Sequence, residues 1–597
     1  MQAIRKRNEI EKEFQWNLEA MYPNPEAWEA DFAALKEQIQ ELEEKPGTLS
    51  KSGDALYAVL RLSEQIDRRS EKLYVFARMR RDEDNQNPQY QALFERIQSL
   101  TVEAGSAGSF IVPEILAMEE KVLWDFVENT EELKLYRHFF EELLRQKSHV
   151  LSLEEEKLLA LSAEVGAAPQ QIFTMLNNAD IRFPAVQDEN GEEVEITKGR
   201  YISLMESRNR EVRKNTFQGL YSSYEKLLNT IGSTYAASVK NDVFHAKVRK
   251  YPSALAASLD GDSIETGVYD QLIASVHAKM PYMYRYLELR RKLLKLDKLH
   301  MYDVYVPLLQ DFDMHIPYAE AKETVIKALR PLGEDYLEIL KSGMEGGWID
   351  VYENEGKTSG AYSWGCYDSQ PYVLMNYENH LDDMFTLAHE LGHSMHSYYS
   401  NHAQPYIYSQ YPIFLAEVAS TVNESLVSDY LLKNSRSREE KLYVLNHYLE
   451  QFRGTVYRQT MFAEFEKMTH SYAEAGEGLT PELFNKLYMD LNRLYFGEDM
   501  VLDDEIRLEW ARIPHFYTAF YVYKYATGFS AATMLKQQIV EEGAPAVERY
   551  RRFLSSGCSE YPIQTLQKAG VDLLTPEPVE KSLDYFNQLM DEMEELL

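Results

Sequence analysis

The stretch Asp382-Asp383-Met384-Phe385-Thr386-Leu387-Ala388-His389-Glu390-Leu391-Gly392-His393 carries the pattern H-E-x-x-H. On a helix, residues four apart share a face, so His389 and His393 present two imidazoles to one ion. Glu390 is rotated about 100° around the axis from His389, which aims it at a water beside the ion rather than at the ion. Asp382 and Asp383 fall near the helix start, where the macrodipole favours negative charge. Leu387, Ala388, Leu391 and Gly392 make the surroundings apolar, a costly place for unpaired imidazoles. The spacing predicts a metal-ligating helix over about 381–399.

Two imidazoles do not complete a catalytic zinc site, which has three protein ligands and one open position. The pattern H-E-x-x-H-x-x-G-x-x-H would need glycine at 396 and histidine at 399; the chain has His396 and Tyr399, which excludes that class. The other route is a glutamate from a following helix, and Leu415-Ala416-Glu417-Val418-Ala419-Ser420-Thr421-Val422-Asn423-Glu424 supplies Glu417. A loop with Pro405 and Pro412 leaves room for this second helix to return antiparallel. Phe414, Leu415, Val418 and Val422 place Glu417 on an expected buried stripe, where a carboxylate needs a partner or a metal. Glu424, two turns on, is either an acceptor that orients a ligand histidine or an ordinary polar residue. His396 is expected to be packed rather than to fill the open position.

Outward from these blocks the chain reads as helices. Residues 26–44 place Trp28, Phe32, Leu35 and Ile39 at helical spacing. Asn129 to Glu132 and Ser152 to Glu155 fit the capping pattern, and Pro113 and Gly166–Pro169 read as breaks. Two short stretches look like sheet. In 181–197, extended runs flank Asn190-Gly191, a pair suited to a tight hairpin. In 347–378, a glycine-rich run ends in Tyr372-Val373-Leu374-Met375-Asn376-Tyr377, with strand composition. This strand is read as a possible exposed edge for an extended peptide, and Gly360–Gly365 as a candidate lid. The domain boundary is expected near 170–205, dividing an N-terminal helical domain (1–190) from a domain carrying the metal motif (191–597).

Composition sets the outer limits. The 597 residues carry 63 Lys+Arg against 96 Asp+Glu, a formal charge of −33 spread along the chain, so nucleic acid is not an expected partner. Two cysteines, Cys366 and Cys558, cannot build a disulfide framework, and Cys366 is expected to be an inert structural thiol. No signal peptide and no transmembrane run is visible. A cytoplasmic protein without a membrane partner is the expectation, with the oligomeric state left open.

His389-Glu390-Leu391-Gly392-His393 with Ser394-Met395-His396, followed by the Phe414–Glu424 segment, resembles the thimet-oligopeptidase-like zinc metallopeptidases, and within them the oligoendopeptidase F branch. The resemblance runs along nearly the whole chain and is specific in two blocks, about 360–425 and 505–530. It implies a mostly α fold of two lobes around a deep substrate channel and hydrolysis of short peptides in the cytoplasm; the 347–378 stretch adds the expectation of a small β-sheet beside the H-E-x-x-H helix.

The second block is Arg512-Ile513-Pro514-His515-Phe516-Tyr517-Thr518-Ala519-Phe520-Tyr521-Val522-Tyr523-Lys524-Tyr525. A helix starting near Pro514 would put Tyr517, Tyr521 and Tyr525 on one face. Read alone, this is also the pattern of an aromatic core stripe. The resemblance implies that His515 helps bind substrate and stabilise the transition state, with Tyr525 and Tyr521 as the preferred tyrosine donors and Tyr517 and Tyr523 as alternatives. Together these residues lead to one zinc per chain on His389, His393 and Glu417, Glu390 as general base, and oligopeptides as substrates. The competing readings are a zinc peptidase releasing C-terminal dipeptides, and a non-catalytic helical peptide-binding protein with a structural metal.

Overall fold

The computed structural model describes residues 4–309 and 314–597. It is mostly helical and divides into two compact units, each assembled from three separate stretches of chain: Met1–Ser148, Asp313–Tyr430 and Leu535–Gly570 in the first, His149–Phe312, Leu431–Met534 and Val571–Leu597 in the second. Among the described residues no helix is long and apolar enough to cross a membrane.

In the first unit, α1 (Pro25–Glu43) starts where Asn24 accepts from the Ala27 N–H and Pro25 occupies the first turn, and it buries Trp28, Phe32, Leu35 and Ile39, as their spacing predicts. Trp28 and Phe32 stack at 5.0 Å. These side chains join those of α2 (Gly53–Glu83) in one core that also takes in Cys366, Tyr372 and Leu374. The predicted sheet follows: β1 (Ile349–Asp350), β2 (Tyr362–Trp364) and β3 (Tyr372–Leu374), in the order β1-β3-β2. β3 runs parallel to β1 and antiparallel to β2, with Ser363 opposite Val373.

Two expectations change here. Tyr372–Leu374 is the fully buried central strand and offers no edge. The Gly360–Gly365 segment is not a lid, because its middle is β2, which pairs with β3. The unbroken Tyr-Val-Leu run has the composition of a strand buried on both faces rather than of an edge. β1 is held by charge: the Lys357 ammonium, on a side chain with no exposed surface, lies 2.7 Å from Asp350 and donates to the Tyr352 carbonyl at 2.7 Å.

The second unit contains the hairpin Ala185–Gln187 with Glu193–Glu195. Its loop is longer than the two-residue turn expected: the Gly191 N–H donates to the Asp188 carbonyl, the Asp188 side chain accepts from Asn190 and Glu192, and among the loop residues only Gly191 has positive φ (78°). Ser152 caps the helix Leu153–Met175 in a reciprocal box with Glu155, as predicted. Gly166–Pro169 lies inside that helix rather than breaking it, and Pro113 sits in the first turn of Ile111–Ala117. In the first unit, Asn129 is no cap; it ends the helix Glu120–Asn129 and bonds back to the Asp125 carbonyl.

Buried ion pairs organise the second unit's core. Glu509 accepts from Arg458 at 2.7 Å and Arg512 at 2.8 Å. Burial pushes its carboxyl upward, but the two guanidinium groups outweigh burial and hold it down at about 2. A lowered folded-state value means that this stabilisation is complete above the unfolded value of about 4.5 and is lost as pH falls toward 2. Glu509→Gln should cost about 3–5 kcal/mol at pH 7, because it leaves two buried cations short of a partner. Melting temperatures from pH 7 down to pH 2 should show the variant converging on the wild type below pH 4.5; a constant offset would refute the assignment.

Candidate metal centre

The motif lies on α3 (Leu381–Ala403), which starts where the Asp383 carboxylate accepts from the His380 and Glu378 N–H groups. It runs slightly beyond the predicted 399. The second block forms α4 (Ile413–Asn434). Cross-helix contacts fix their direction: Ala388 meets Asn423, whose side-chain amide donates to the Ala388 carbonyl at 3.1 Å, while Gly392 meets Ala419 and Ser420. Numbers rise on one helix as they fall on the other, so the pair is antiparallel, as expected.

This pairing brings His389, His393 and Glu417 together. The Nε2 atoms of the histidines are 3.1 Å apart, and Glu417 Oε2 is 3.5 Å from His389 Nε2 and 3.8 Å from His393 Nε2. Tetrahedral zinc with ligand bonds of 2.0–2.1 Å requires donor separations of about 3.3 Å. Two imidazole nitrogens and one carboxylate oxygen at these separations fit zinc in both donor chemistry and size. Glu417 is half-buried rather than deep in a stripe, since its carboxylate faces this donor cluster.

The neighbouring groups set each ligand's form. Glu424 Oε1 lies 2.5 Å from His389 Nδ1, the orienting role left open by the sequence. A proton held on Nδ1 leaves the Nε2 lone pair for a metal. Burial pulls the His389 pKa down, but the Glu424 hydrogen bond and the charges of Glu424, Glu390 and Glu417 carry it up to about 9 in the metal-free protein. A bound cation would compete with that proton. His393 goes the other way, held down at about 3 by burial and by His389, so it is neutral and ready to ligate. Glu390, buried on the same helix, is pushed up to about 7, chiefly by burial, with His389 opposing and Glu417 adding.

His396 is fully buried and stacks on Tyr411 with ring centroids 3.6 Å apart, a packed residue as expected. Cys366 is buried, and burial raises its thiol to about 12, which fits an inert thiol. Three supporting residues were not singled out from the sequence. Ser394 Oγ is 2.8 Å from Ser363 Oγ on β2 and bonds the Glu390 carbonyl, so the sheet is tied to the motif helix. Asn423 locks α4 to α3, and the Tyr336 hydroxyl donates to its side-chain oxygen at 3.2 Å. Tyr411 bonds Ser397 at 2.8 Å while stacking on His396. Asn423 had a signal, a polar amide inside an apolar helical run; Ser394 and Tyr411 had none.

The second block lies in the second unit, and it is not one helix. Pro514–Tyr517 is a 3₁₀ turn, Phe520 has φ of 57°, and α5 begins afterwards (Tyr523–Glu542). The shared tyrosine face is therefore lost. Tyr517 stacks on Phe173 at 4.3 Å and bonds Thr234, and Tyr523 is buried against Tyr269. Both alternatives are spent in packing. His515, Tyr521 and Tyr525 remain together: His515 is 6.3 Å from Tyr521 and 6.1 Å from Tyr525 between ring centroids, and the tyrosines are 5.4 Å apart. His515 is exposed, and its partial burial, helped by Arg458, shifts its pKa downward, which favours the neutral ring.

If Glu424 orients His389, then Glu424→Gln, which removes the charge and keeps the shape, should weaken zinc binding 10- to 100-fold. Competition with a chromophoric chelator measures this; unchanged affinity would show that Glu424 has no such role.

Residues 203–585 match the model of peptidase family M3, and residues 114–183 match that of oligopeptidase F. Oligopeptidase PepF of Bacillus subtilis is 51% identical over 591 residues, covering 99% of this chain and 88% of its own. An oligoendopeptidase F homolog of Lactococcus lactis is 41% identical, covering 99% and 98%. The crystal structure of oligoendopeptidase-F from Enterococcus faecium superposes with a TM-score of 0.74 at 38% identity, covering 96% of this chain and 99% of that one. A helical chain with paired H-E-x-x-H and glutamate helices, matched along nearly its whole length by these proteins, belongs to peptidase family M3.

Proposed function

We propose that the chain is a zinc-dependent endopeptidase that cleaves internal bonds of short oligopeptides, with one zinc per chain. The observation that carries this is the triangle of His389 Nε2, His393 Nε2 and Glu417 Oε2, with the Glu390 carboxylate on the same helix. Membership of family M3 and the names of its oligoendopeptidase relatives support the substrate class. The family match over 203–585 supports assigning the chemistry to residues 191–597, although residues 1–148 pack in the same compact unit as the motif helices and not as a unit of their own. The two free thiols are in keeping with a cytoplasmic location.

A zinc held by His389, His393 and Glu417 would supply Lewis acidity that lowers the pKa of water toward neutrality and polarises the scissile carbonyl. The residues of the chain then divide the work. Glu390 accepts a proton from the attacking water and returns it to the leaving amine; a carboxyl raised by burial is suited to both transfers. Glu424 keeps the Nδ1 proton on His389 and so fixes the ring's orientation. His515, neutral, with Tyr521 and Tyr525 supplies hydrogen-bond donors for the developing oxyanion.

Hydrolysis of an internally quenched peptide blocked at both ends tests the reading, with products identified by mass and bound metal counted. Wild type should cleave internally, and Glu390→Gln should retain about one zinc while losing 10²- to 10⁴-fold in kcat. Zinc bound by both with no cleavage of blocked or free-ended peptides would make the metal structural. Cleavage confined to free-ended peptides, with release of C-terminal dipeptides, would replace the endopeptidase assignment.

A further inference from the structure

The core of the second unit contains a cavity of about 30 Å³ that the proposed chemistry does not use. Most of its wall is apolar or aromatic, with Phe217, Met283 and Met461 in it. The charged side chains of the wall are Arg453, Arg458 and Glu509, two cations against one anion. A space of this size admits a water molecule or a single ion, and no amino-acid side chain.

The carboxylates at hand do not cancel the extra cation. Glu509 accepts from Arg458 at 2.7 Å and also from Arg512 at 2.8 Å. Glu450, behind the wall, accepts from Arg453 at 2.6 Å and from Arg290 at 2.9 Å. Burial pushes both carboxyls upward, yet the guanidinium pairs hold both at about 2, so each is ionised and each already serves two cations. An unanswered charge in a low-dielectric interior is costly.

The hydrogen bonds show the same imbalance. Arg453 uses Nε and Nη2 on Glu450, and Arg458 uses Nη2 on Glu509. Among the described residues, Arg453 Nη1 and the Nε and Nη1 of Arg458 have no acceptor, and the Tyr201 and Tyr305 hydroxyls have no partner. Tyr221, also in the wall, accepts from Arg512 at 3.2 Å, and its own hydrogen has no acceptor. The second oxygen of Glu509 is taken by the Tyr488 hydroxyl at 2.6 Å, so the one carboxylate in the wall is full. The Arg453 side chain is 8% exposed, too buried for bulk water to answer it, whereas Arg458 at 24% gives an ion a way in.

A water molecule would bring two more hydrogens to a wall that already has too many; a monatomic anion brings only lone pairs and the missing charge. We propose that this cavity binds one monovalent anion of halide size, chloride under physiological conditions, through Arg453 and Arg458 and the hydroxyls of Tyr201, Tyr221 and Tyr305. Sulfate exceeds both the charge and the space. The bound ion completes the charge balance of the second unit's core.

Thermal unfolding at one fixed ionic strength, with chloride exchanged stepwise for gluconate, separates binding from screening. The melting temperature should rise with chloride by about 2 °C or more and then saturate, because a ligand of the folded state stabilises it by mass action. Bromide should substitute for chloride, and sulfate should not. Tyr201→Phe with Tyr305→Phe removes two hydroxyls and keeps both rings; it should raise the chloride midpoint by about threefold or more. In wild-type crystals grown in bromide, anomalous scattering should place one ion beside Arg453 and Arg458, and this measurement decides alone if the double variant does not fold. Equal melting in chloride and gluconate would overturn the proposal. A chloride midpoint unchanged in the folded double variant, or a bromide map with no peak in the cavity, would overturn it equally.

Discussion

Residue 392 has no side chain because the backbone of α4 occupies the space that one would need. A β-carbon there would lie 2.6 Å from Ser420 Cα and 2.8 Å from the Ala419 carbonyl oxygen, both backbone atoms that cannot swing aside. This close approach brings two helices within reach of one ion. It places Glu417, one turn before the contact on α4, beside His389 and His393, which flank it on α3. It also sets Asn423 and Glu424 against Ala388 and His389 one turn further along. Metal ligation, the orientation of a ligand histidine and the locking of the helices all follow from one missing methyl group.

The same approach gathers charge. Glu390, Glu417 and Glu424 converge on two imidazoles, and without a cation His389 must hold the proton that balances them. His393, next to it, is kept neutral. A divalent ion resolves this conflict by taking the place of the proton, so the site's electrostatics and its donor geometry favour the same occupant. Burial of Glu390 then has a use: a carboxyl whose charged form is disfavoured can hold and return a proton near neutral pH.

How much was legible in the sequence depended on whether a residue's role was local. The histidine pair, Glu390 and the acidic helix start rest on helical periodicity, which the chain spells out directly, and the antiparallel return of Glu417 needed only a loop long enough to turn. What failed depended on long-range partners. Tyr372–Leu374 has strand composition, but whether it is central or an edge is decided by β1 and β2, the former more than 20 residues upstream. Tyr517, Tyr521 and Tyr525 have helical spacing, yet Phe520 adopts positive φ and its N–H donates to the buried Glu466, so the run is interrupted. Asn129 looked like a cap because its neighbours have capping spacing, but the preceding helix had already claimed it. Ser394 gains its role only once β2 is beside α3.

The claim that helix spacing builds the metal centre is open to one direct measurement: the zinc affinity of Gly392→Ala, by chelator competition, with helical content checked by circular dichroism. The account predicts a folded protein whose zinc affinity has fallen at least tenfold, because a β-carbon must push α4 and its Glu417 away from the histidines. Wild-type affinity in the folded variant would contradict it, and would mean that the two helices tolerate separation without losing the third ligand.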